Sequence, residues 1–220
     1  MTRQDALKLA GIAGLVFAIG ALVAGFMIPE VPPTVKDPPE DFLAFVSDNR
    51  RLFLLSSAIN ILLIIPASVF VAGFWRVLRS TDSDDGVLAL GATVAFVVAG
   101  AIATVCGGWF AGVGFLSDGH GLDAHNAKNL VLIGAILNQA TFGPMAAAYG
   151  IGGYLLSKRG PFPSWVGYAG IVVAVIMAAG VFALREDNPL APFSLLPLAG
   201  FVLFALYTAL LSVLMIRTKA

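Results

Sequence analysis

Long apolar stretches alternate with short polar segments along the whole 220-residue chain, and this alternation predicts membrane-spanning helices. An α-helix rises 1.5 Å per residue, so about 20 apolar residues cross the ~30 Å hydrocarbon core of a bilayer. The core offers no water to the backbone, so such stretches form helices that satisfy their own hydrogen bonds. The six stretches of sufficient length are residues 9–28, 52–75, 87–116, 130–156, 165–184 and 195–216. We therefore predict an all-α membrane protein, a bundle of six transmembrane helices forming a single domain over residues 1–220.

Composition narrows the function classes. Hydrophobic residues make up 59% of the chain and charged residues 12%, against roughly 25% charged in soluble domains, which excludes a water-soluble fold. No Asp, Glu, Lys, Arg or His lies well inside a span, which disfavours proton relays and voltage sensors. The sequence also lacks a nucleophile beside a base, clustered carboxylates in a span and a glycine-rich phosphate loop. We expect a protein that is not an enzyme, has no cofactor and binds no nucleic acid.

The zero net charge hides an asymmetry between the two sides of the predicted bundle. The side of the termini carries eight of the 13 basic residues: Arg3, Lys8, Arg76, Arg79, Lys158, Arg159, Arg217 and Lys219. Basic residues favour the cytoplasmic side, so both termini are predicted to be cytoplasmic. A signal peptide could also begin with Arg3 and Lys8, but its apolar region is typically 7 to 15 residues, shorter than this first stretch. We therefore expect the first helix to be retained.

The first external loop contains an amphipathic segment after four prolines. Phe42, Phe45 and Val46 are spaced i, i+3 and i+4 within residues 40–51, which predicts a short helix with one apolar face, lying on the outer surface. The alternative is a simple lead-in turn to the second span. If the helix forms, its three apolar residues could dock a protein partner.

The second and fourth spans share an internal pattern. Asn60 precedes Pro66 by six positions, and Asn138 precedes Pro144 by the same spacing, 78 residues later. Each proline removes one helical hydrogen bond and should kink its helix. The shared spacing suggests that spans two and three are a parallel repeat of spans four and five.

Neutral polar residues at depth are the candidate ligand site. Ser57 and Asn60 lie on one face of span two, and Asn138 and Thr141 lie on one face of span four, with Ser56 and Gln139 beside them. Buried amides must find hydrogen-bonding partners in hydrocarbon. They could bind a small or lipidic molecule, or they could join helix to helix, a common role for such groups in membranes.

The second external loop holds two histidines and two aspartates that could bind a divalent metal ion: Asp118, His120, Asp123 and His125. Their spacing matches no established zinc pattern, and the loop is rich in glycine. The simpler interpretation is a solvated turn that ends in Asp123 or Asn126 as a helix N-cap.

Glycines and the first and last spans complete the pattern. Gly108 and Gly112 form a Gly-x-x-x-Gly pair on the third span, typical of close packing within a bundle. Spans one and six contain no distinctive polar layer and are expected to serve as plain packing helices. The pattern does not determine the oligomeric state.

Residues 150–170, GIGGYLLSKRGPFPSWVGYAG, resemble a bacterial membrane protein family called domain of unknown function 4386. The segments DNRRLF at 48–53 and GIAG at 11–14 are also similar to that family. The resemblance implies a six-helix protein of the bacterial inner (plasma) membrane with no settled activity, and it supplies no catalytic residues.

Two functions are consistent with these sequence patterns. In the first, the bundle binds or passes a small or lipidic molecule at the layer of Asn60 and Asn138. In the second, the protein is a structural or interaction subunit whose partner docks on Phe42, Phe45 and Val46. In both, the lipid bilayer is its surroundings.

Overall fold

The computed structural model describes residues 2–30, 32–83, 85–119, 121–182 and 192–218. Within these ranges the chain forms α-helices and no β-strand. In chain order the helices are α1 (Arg3–Gly25), α2 (Pro39–Asp48), α3 (Arg50–Leu62), α4 (Ile64–Arg79), α5 (Val87–Leu116), α6 (Ala124–Ala140), α7 (Phe142–Arg159), α8 (Ser164–Gly180) and α9 (Pro192–Arg217). The all-α prediction is confirmed.

Five segments are long and apolar enough to cross a membrane: Gln4–Gly25, Arg50–Arg79, Val87–Leu116, Ala124–Lys158 and Leu195–Arg217. The predicted sixth span, residues 165–184, corresponds to α8, which has 17 residues and is about 26 Å long. Residues 183 and 184 lie outside the described part of the chain. Five candidate spans and one shorter apolar helix are thus present.

Two of these segments are interrupted near their prolines. Helix α3 gives way to α4 at Leu63, and α6 gives way to α7 at Thr141. Pro66 and Pro144 each occupy the third position of the helix that follows, where a missing backbone N–H costs little because the first turn has no internal acceptor for it. The ends of α3 and α6 are 78 residues apart, as are the starts of α4 and α7.

Hydrophobic side chains form two separate clusters. The larger one, here the terminal-end cluster, includes Phe70, Phe74, Tyr149, Leu211 and Met215 and joins α1, α4, α5, α7, α8 and α9. The smaller one, the α2-end cluster, contains Phe42, Phe45, Val46, Phe53, Val113, Ala127 and Val131. The bundle therefore has a large packed core near the chain termini and a small one near α2.

Close backbone approach in the terminal-end cluster depends on glycines that differ from those expected. A Cβ atom on Gly153 of α7 would lie 2.6 Å from the carbonyl oxygen of Gly167 on α8, so the two helices touch there. In contrast, a Cβ atom on Gly108 or Gly112 would meet nothing within 4 Å. The Gly-x-x-x-Gly pair on α5 is therefore not a packing device within this bundle, and that expectation was wrong.

The amphipathic helix of the first loop is present as α2, but its apolar face is covered. Phe42 and Val46 are fully buried and Phe45 is 8% exposed, because this face packs on α6 and on Phe53 of α3. Lys128 of α6 lies over the Phe42 ring at 5.4 Å. The three residues are therefore not available to a docked partner, and the docking surface inferred from them is not present on the folded chain.

The last span is more than a plain packing helix. Thr208 and Ser212 of α9 are fully buried, and their hydroxyls donate to the carbonyls of Phe204 and Thr208. The proton of Thr208 is used in that bond, so the O–H of Tyr149 donates to the Thr208 hydroxyl oxygen at 2.5 Å. This polar contact between α7 and α9 within the terminal-end cluster was not predicted.

Candidate functional site

A cavity of about 700 Å³ lies between the two hydrophobic clusters. Phe45, Phe53 and Val131 of the α2-end cluster line one part of it, and Phe96 and Phe204 of the terminal-end cluster line another. Around this space, α3 packs on α1 and α5, while α6 packs on α5 and α2. The helix breaks at Leu63 and Thr141 thus lie beside the cavity.

The cavity is elongated. Along α5, its lining runs from Phe96 to Phe110, a rise of about 21 Å. The volume of about 700 Å³ extends along this part of α5. Near the chain termini the cavity ends at packed aromatic rings. The ring centroid of Phe17 lies 5.7 Å from that of Phe204 and 6.3 Å from that of Phe96. The space suits a long, narrow molecule better than a round one.

All four residues of the predicted ligand site line this cavity: Ser57, Asn60, Asn138 and Thr141. Ser57 is 3% exposed, and among the described residues its hydroxyl forms no hydrogen bond. The side-chain amides of Asn60 and Asn138 are likewise without a protein partner in that part of the chain, and both face accessible space. The structure thus brings the two amides, which lie 78 residues apart in sequence, to one cavity.

Helix-to-helix adhesion, the alternative interpretation of this polar layer, applies to its neighbours instead. Gln139 is buried and its amide nitrogen donates to the carbonyl oxygen of Gly180 on α8. Ser56 donates to the carbonyl of Ala24 on α1 at 2.9 Å. These side chains connect helices, whereas no such contact occupies the amides of Asn60 and Asn138.

The other hydroxyls in the lining are already engaged with their own helices. Ser68 donates to Ile64, Thr104 to Gly100 and Thr141 to Asn138, each through a backbone carbonyl at 2.6 to 2.9 Å. Their oxygens can still accept a hydrogen bond, but their protons are used. The donors available in this layer are therefore the two amides and Ser57. Such a layer can orient a neutral polar group, with apolar walls around it.

The cavity has a charged end near α2. Glu30 lines it there, and its carboxylate accepts a hydrogen bond of 2.6 Å from the side-chain amide of Asn49. The same amide nitrogen donates to the carbonyl of Phe45 at 3.1 Å. No local pattern in the sequence indicates this pair, because Glu30 and Asn49 lie 19 positions apart on either side of α2.

The predicted metal-binding loop has its carboxylates engaged elsewhere. Asp118 pairs with Arg50 at 2.7 Å, and Asp123 caps α6 by accepting from the backbone N–H of Asn126 at 2.8 Å. His125 is exposed, and His120 lies outside the described residues. Within the described ranges, no group of three His, Cys, Asp or Glu side chains could hold a metal ion. The structure supports the N-cap interpretation of Asp123.

The loop before α2 is fastened to α6. The ammonium of Lys128 donates to the carbonyls of Val35 and Asp37, each at 2.7 Å. The backbone N–H and the hydroxyl of Thr34 both donate to the Asp37 carboxylate and hold its pKa below the ordinary value of 3.8. This loop therefore closes over the α2 end of the bundle through several polar contacts.

These features fit the class of multi-pass helical membrane proteins, here with a partly open cavity between the helices. Residues 9–216 match the family described as Domain of unknown function (DUF4386), and the chain belongs to this family, which confirms the resemblance seen in the sequence. No curated protein and no solved structure matches the chain.

Proposed function

We propose that this protein binds an elongated, mostly apolar molecule inside the bundle and holds a neutral polar group of that molecule between Asn60 and Asn138. The observation that carries the proposal is that neither amide has a hydrogen-bonding partner among the described residues, while both line an otherwise mostly apolar cavity. An amide without hydrogen bonds in apolar surroundings is costly, so a ligand that supplies them would be stabilised. The volume of about 700 Å³ falls within the range of roughly 300 to 1,000 Å³ typical of small-molecule sites.

The proposal includes a topology. Helix α8 serves as the sixth span and both termini face the cytoplasm of a plasma membrane, in line with the basic residues near them. The cavity then lies toward the outer side, because α2 belongs to the first external loop. The role is binding or passage rather than catalysis. The lining in the described residues carries one ionisable carboxylate and no nucleophile with a base beside it.

The parallel repeat is part of this proposal. The equal spacing of the two helix breaks supports it, since it places Asn60 and Asn138 at corresponding points of α3 and α6. The second hairpin differs in detail, because α5 has 30 residues and packs on both α3 and α4, whereas α8 has 17 and packs mainly on α7 and α9. The repeat would thus supply two equivalent donors to one ligand.

Binding of radiolabelled 1-dodecanol to the protein in lipid nanodiscs tests the proposal. Asn60→Leu combined with Asn138→Leu should weaken binding about tenfold, the effect of losing one to two hydrogen bonds of ~1 kcal/mol. Thr104→Val is the matched control, because its hydroxyl lines the same cavity but already donates to Gly100. Without ligand, the double variant should be at least as heat-stable as the natural protein, because no contact between helices is lost and two amides without partners are removed. Equal binding by all three proteins would contradict the proposal.

A further inference from the structure

We propose that the α2 end of the cavity recognises a monovalent cation, so that the ligand is a lipophilic ammonium compound rather than a neutral or anionic one. This inference rests on the proposed function, because it specifies the chemistry of the molecule bound there. It is carried by the placement of the Glu30 carboxylate, by the aromatic rings that line the same cavity and by the lack of an ion pair to Glu30 within the described residues.

The position of Glu30 is fixed by a buried neighbour. Asn49 is 4% exposed, and its amide nitrogen donates both to the Glu30 carboxylate and to the carbonyl of Phe45. The Asn49 amide therefore holds the carboxylate close to the first turn of α3 and to the end of α2. One carboxylate oxygen accepts this bond, which leaves the rest of the group free to meet a ligand.

The charge of Glu30 is not neutralised by the basic residues nearby. Arg50, next to Asn49 in sequence, pairs with Asp118 and also donates to the carbonyl of Gly114 at 3.3 Å. Lys128 is engaged with two loop carbonyls. Over the described ranges Glu30 takes part in no ion pair, so a cation entering the cavity would be its counterion.

Aromatic rings line the same end. Phe45 and Phe53 meet edge to face with ring centroids 5.6 Å apart, and Phe53 meets Phe110 at 5.8 Å. All three line the cavity together with Glu30. Ring faces attract cations, and an ammonium group with alkyl substituents can contact rings and a carboxylate at once. A hydrated metal ion would gain little from these walls, whereas an organic cation fits them.

The distance between the two polar levels further defines the ligand. Asn49, which holds Glu30, and Asn60 are separated by eleven residues of α3, or about 16 Å along the helix. A molecule that uses both levels carries an ammonium group at one end and a neutral polar group about 16 Å away, with an apolar body between them. This spacing agrees with the elongated shape of the cavity.

Equilibrium binding of dodecyltrimethylammonium and of 1-dodecanol to the full-length protein in nanodiscs tests the inference. Glu30→Gln keeps the shape of the side chain and its capacity to accept from Asn49. It should weaken binding of the cation about tenfold, corresponding to ~1.4 kcal/mol, and leave binding of dodecanol unchanged. Glu40→Gln is the matched control, because Glu40 is exposed on α2 and does not line the cavity. It removes the same charge and should affect neither probe.

Three results would overturn the inference. Equal losses in Glu30→Gln and Glu40→Gln would mean that the cation is attracted only to the protein surface. No loss in Glu30→Gln would remove the carboxylate from recognition. Binding of dodecanol with no additional affinity for the cation would also refute it, while the proposed function would stand. Failure of both probes to bind would instead count against the proposed function itself.

A further arm identifies the source of the ammonium group. If it belongs to a bilayer lipid, nanodiscs that contain phosphatidylethanolamine should weaken binding of the cationic probe relative to nanodiscs of phosphatidylglycerol alone. That competition should disappear in Glu30→Gln. If the natural ligand is a soluble lipophilic cation, the change of lipid should alter the affinity for the cationic probe by the same factor in the natural protein and in Glu30→Gln. The first result supports recognition of a lipid ammonium group; the second assigns the ligand to the soluble source only if Glu30→Gln weakens binding of the cationic probe in both lipid compositions.

Discussion

Asn138 and Gln139 are adjacent in α6, yet only the amide of Gln139 reaches another helix. Gln139 donates to the carbonyl of Gly180 on α8, while Asn138 faces the cavity. Successive residues on a helix point about 100° apart, so one amide can serve structure while the next is available to a ligand. Gln139 thus joins two helices, and the amide of Asn138 is left facing the cavity.

Replacement of Gln139 should therefore destabilise the protein, whereas replacement of Asn138 should not. The carbonyl of Gly180 lies at the C-terminal end of α8, and the side-chain amide of Gln139 donates to it across the two helices. Gln139→Leu should cost about 1 kcal/mol and lower the temperature at which the protein loses its monodisperse peak in size-exclusion chromatography. Asn138→Leu serves as the control and should leave that temperature unchanged. A larger loss for Asn138→Leu would show that its amide holds helices together.

Glycines at the contact of α7 and α8 should be far less tolerant than those on α5. A Cβ atom on Gly167 would lie 2.5 Å from the carbonyl oxygen of Gly153, and backbone cannot move aside as a side chain can. We expect Gly167→Ala to cost about 1 to 3 kcal/mol through overpacking. Gly112→Ala should be neutral or slightly stabilising, because nothing lies within 4 Å and alanine favours the helix.

Heat denaturation of the two variants in the same detergent measures this difference. The size-exclusion volume of Gly112→Ala should be recorded as well, to test whether this face of α5 contacts a second copy of the chain. Equal stability of Gly167→Ala and Gly112→Ala would contradict the helix contact seen here.

The buried hydroxyl pair of Tyr149 and Thr208 should show energetic coupling. Tyr149→Phe removes the donor and Thr208→Val removes the acceptor, while both keep the shape of the side chain. Because hydrogen bonds between membrane helices average about 0.6 kcal/mol, each single variant should cost roughly that amount. The double variant should cost less than the sum of the singles. A double-mutant cycle from thermal or denaturant unfolding provides the measurement, and strict additivity would show that the pair contributes nothing.

Acid should loosen the loop that precedes α2. Thr34 lowers the pKa of Asp37 in the folded protein, so the stabilisation is complete above the ordinary value of 3.8 and is lost as the pH falls through the lowered pKa. Amide hydrogen exchange of residues 34–37 should accelerate in that acidic range. Asp37→Asn should exchange faster at neutral pH and lose most of the acid dependence. The matched variant Asp48→Asn, at an exposed position of α2, should behave like the natural protein.

Sequence patterns identified the elements well, because their causes are local. Apolar runs gave five membrane-length segments, Phe42, Phe45 and Val46 gave the apolar face of α2, and the two prolines lie just after helix breaks. Asp123 as an N-cap is likewise a local arrangement. Each of these features depends on backbone geometry within one or two turns.

The errors came from facing partners that no local pattern contains. The apolar face of α2 was expected at the outer surface, but α6 covers it. Gly108 and Gly112 have the spacing of a packing pair yet face open space, while Gly153 and Gly167 make the contact. For the candidate site, spacing selected the right helix faces, but it could not tell that Gln139 would find Gly180 while Asn60 and Asn138 would face a shared cavity.

The separation of the two hydrophobic clusters has a consequence for cooperativity. The terminal-end cluster joins six helices, whereas the α2-end cluster has seven buried residues from α2, α3, α5 and α6. Regions with fewer buried contacts open at lower free energy than the rest of a protein. The α2-end cluster should therefore open while the terminal-end cluster stays folded. A molecule in the cavity touches both clusters, so its binding would make the two regions unfold as one unit.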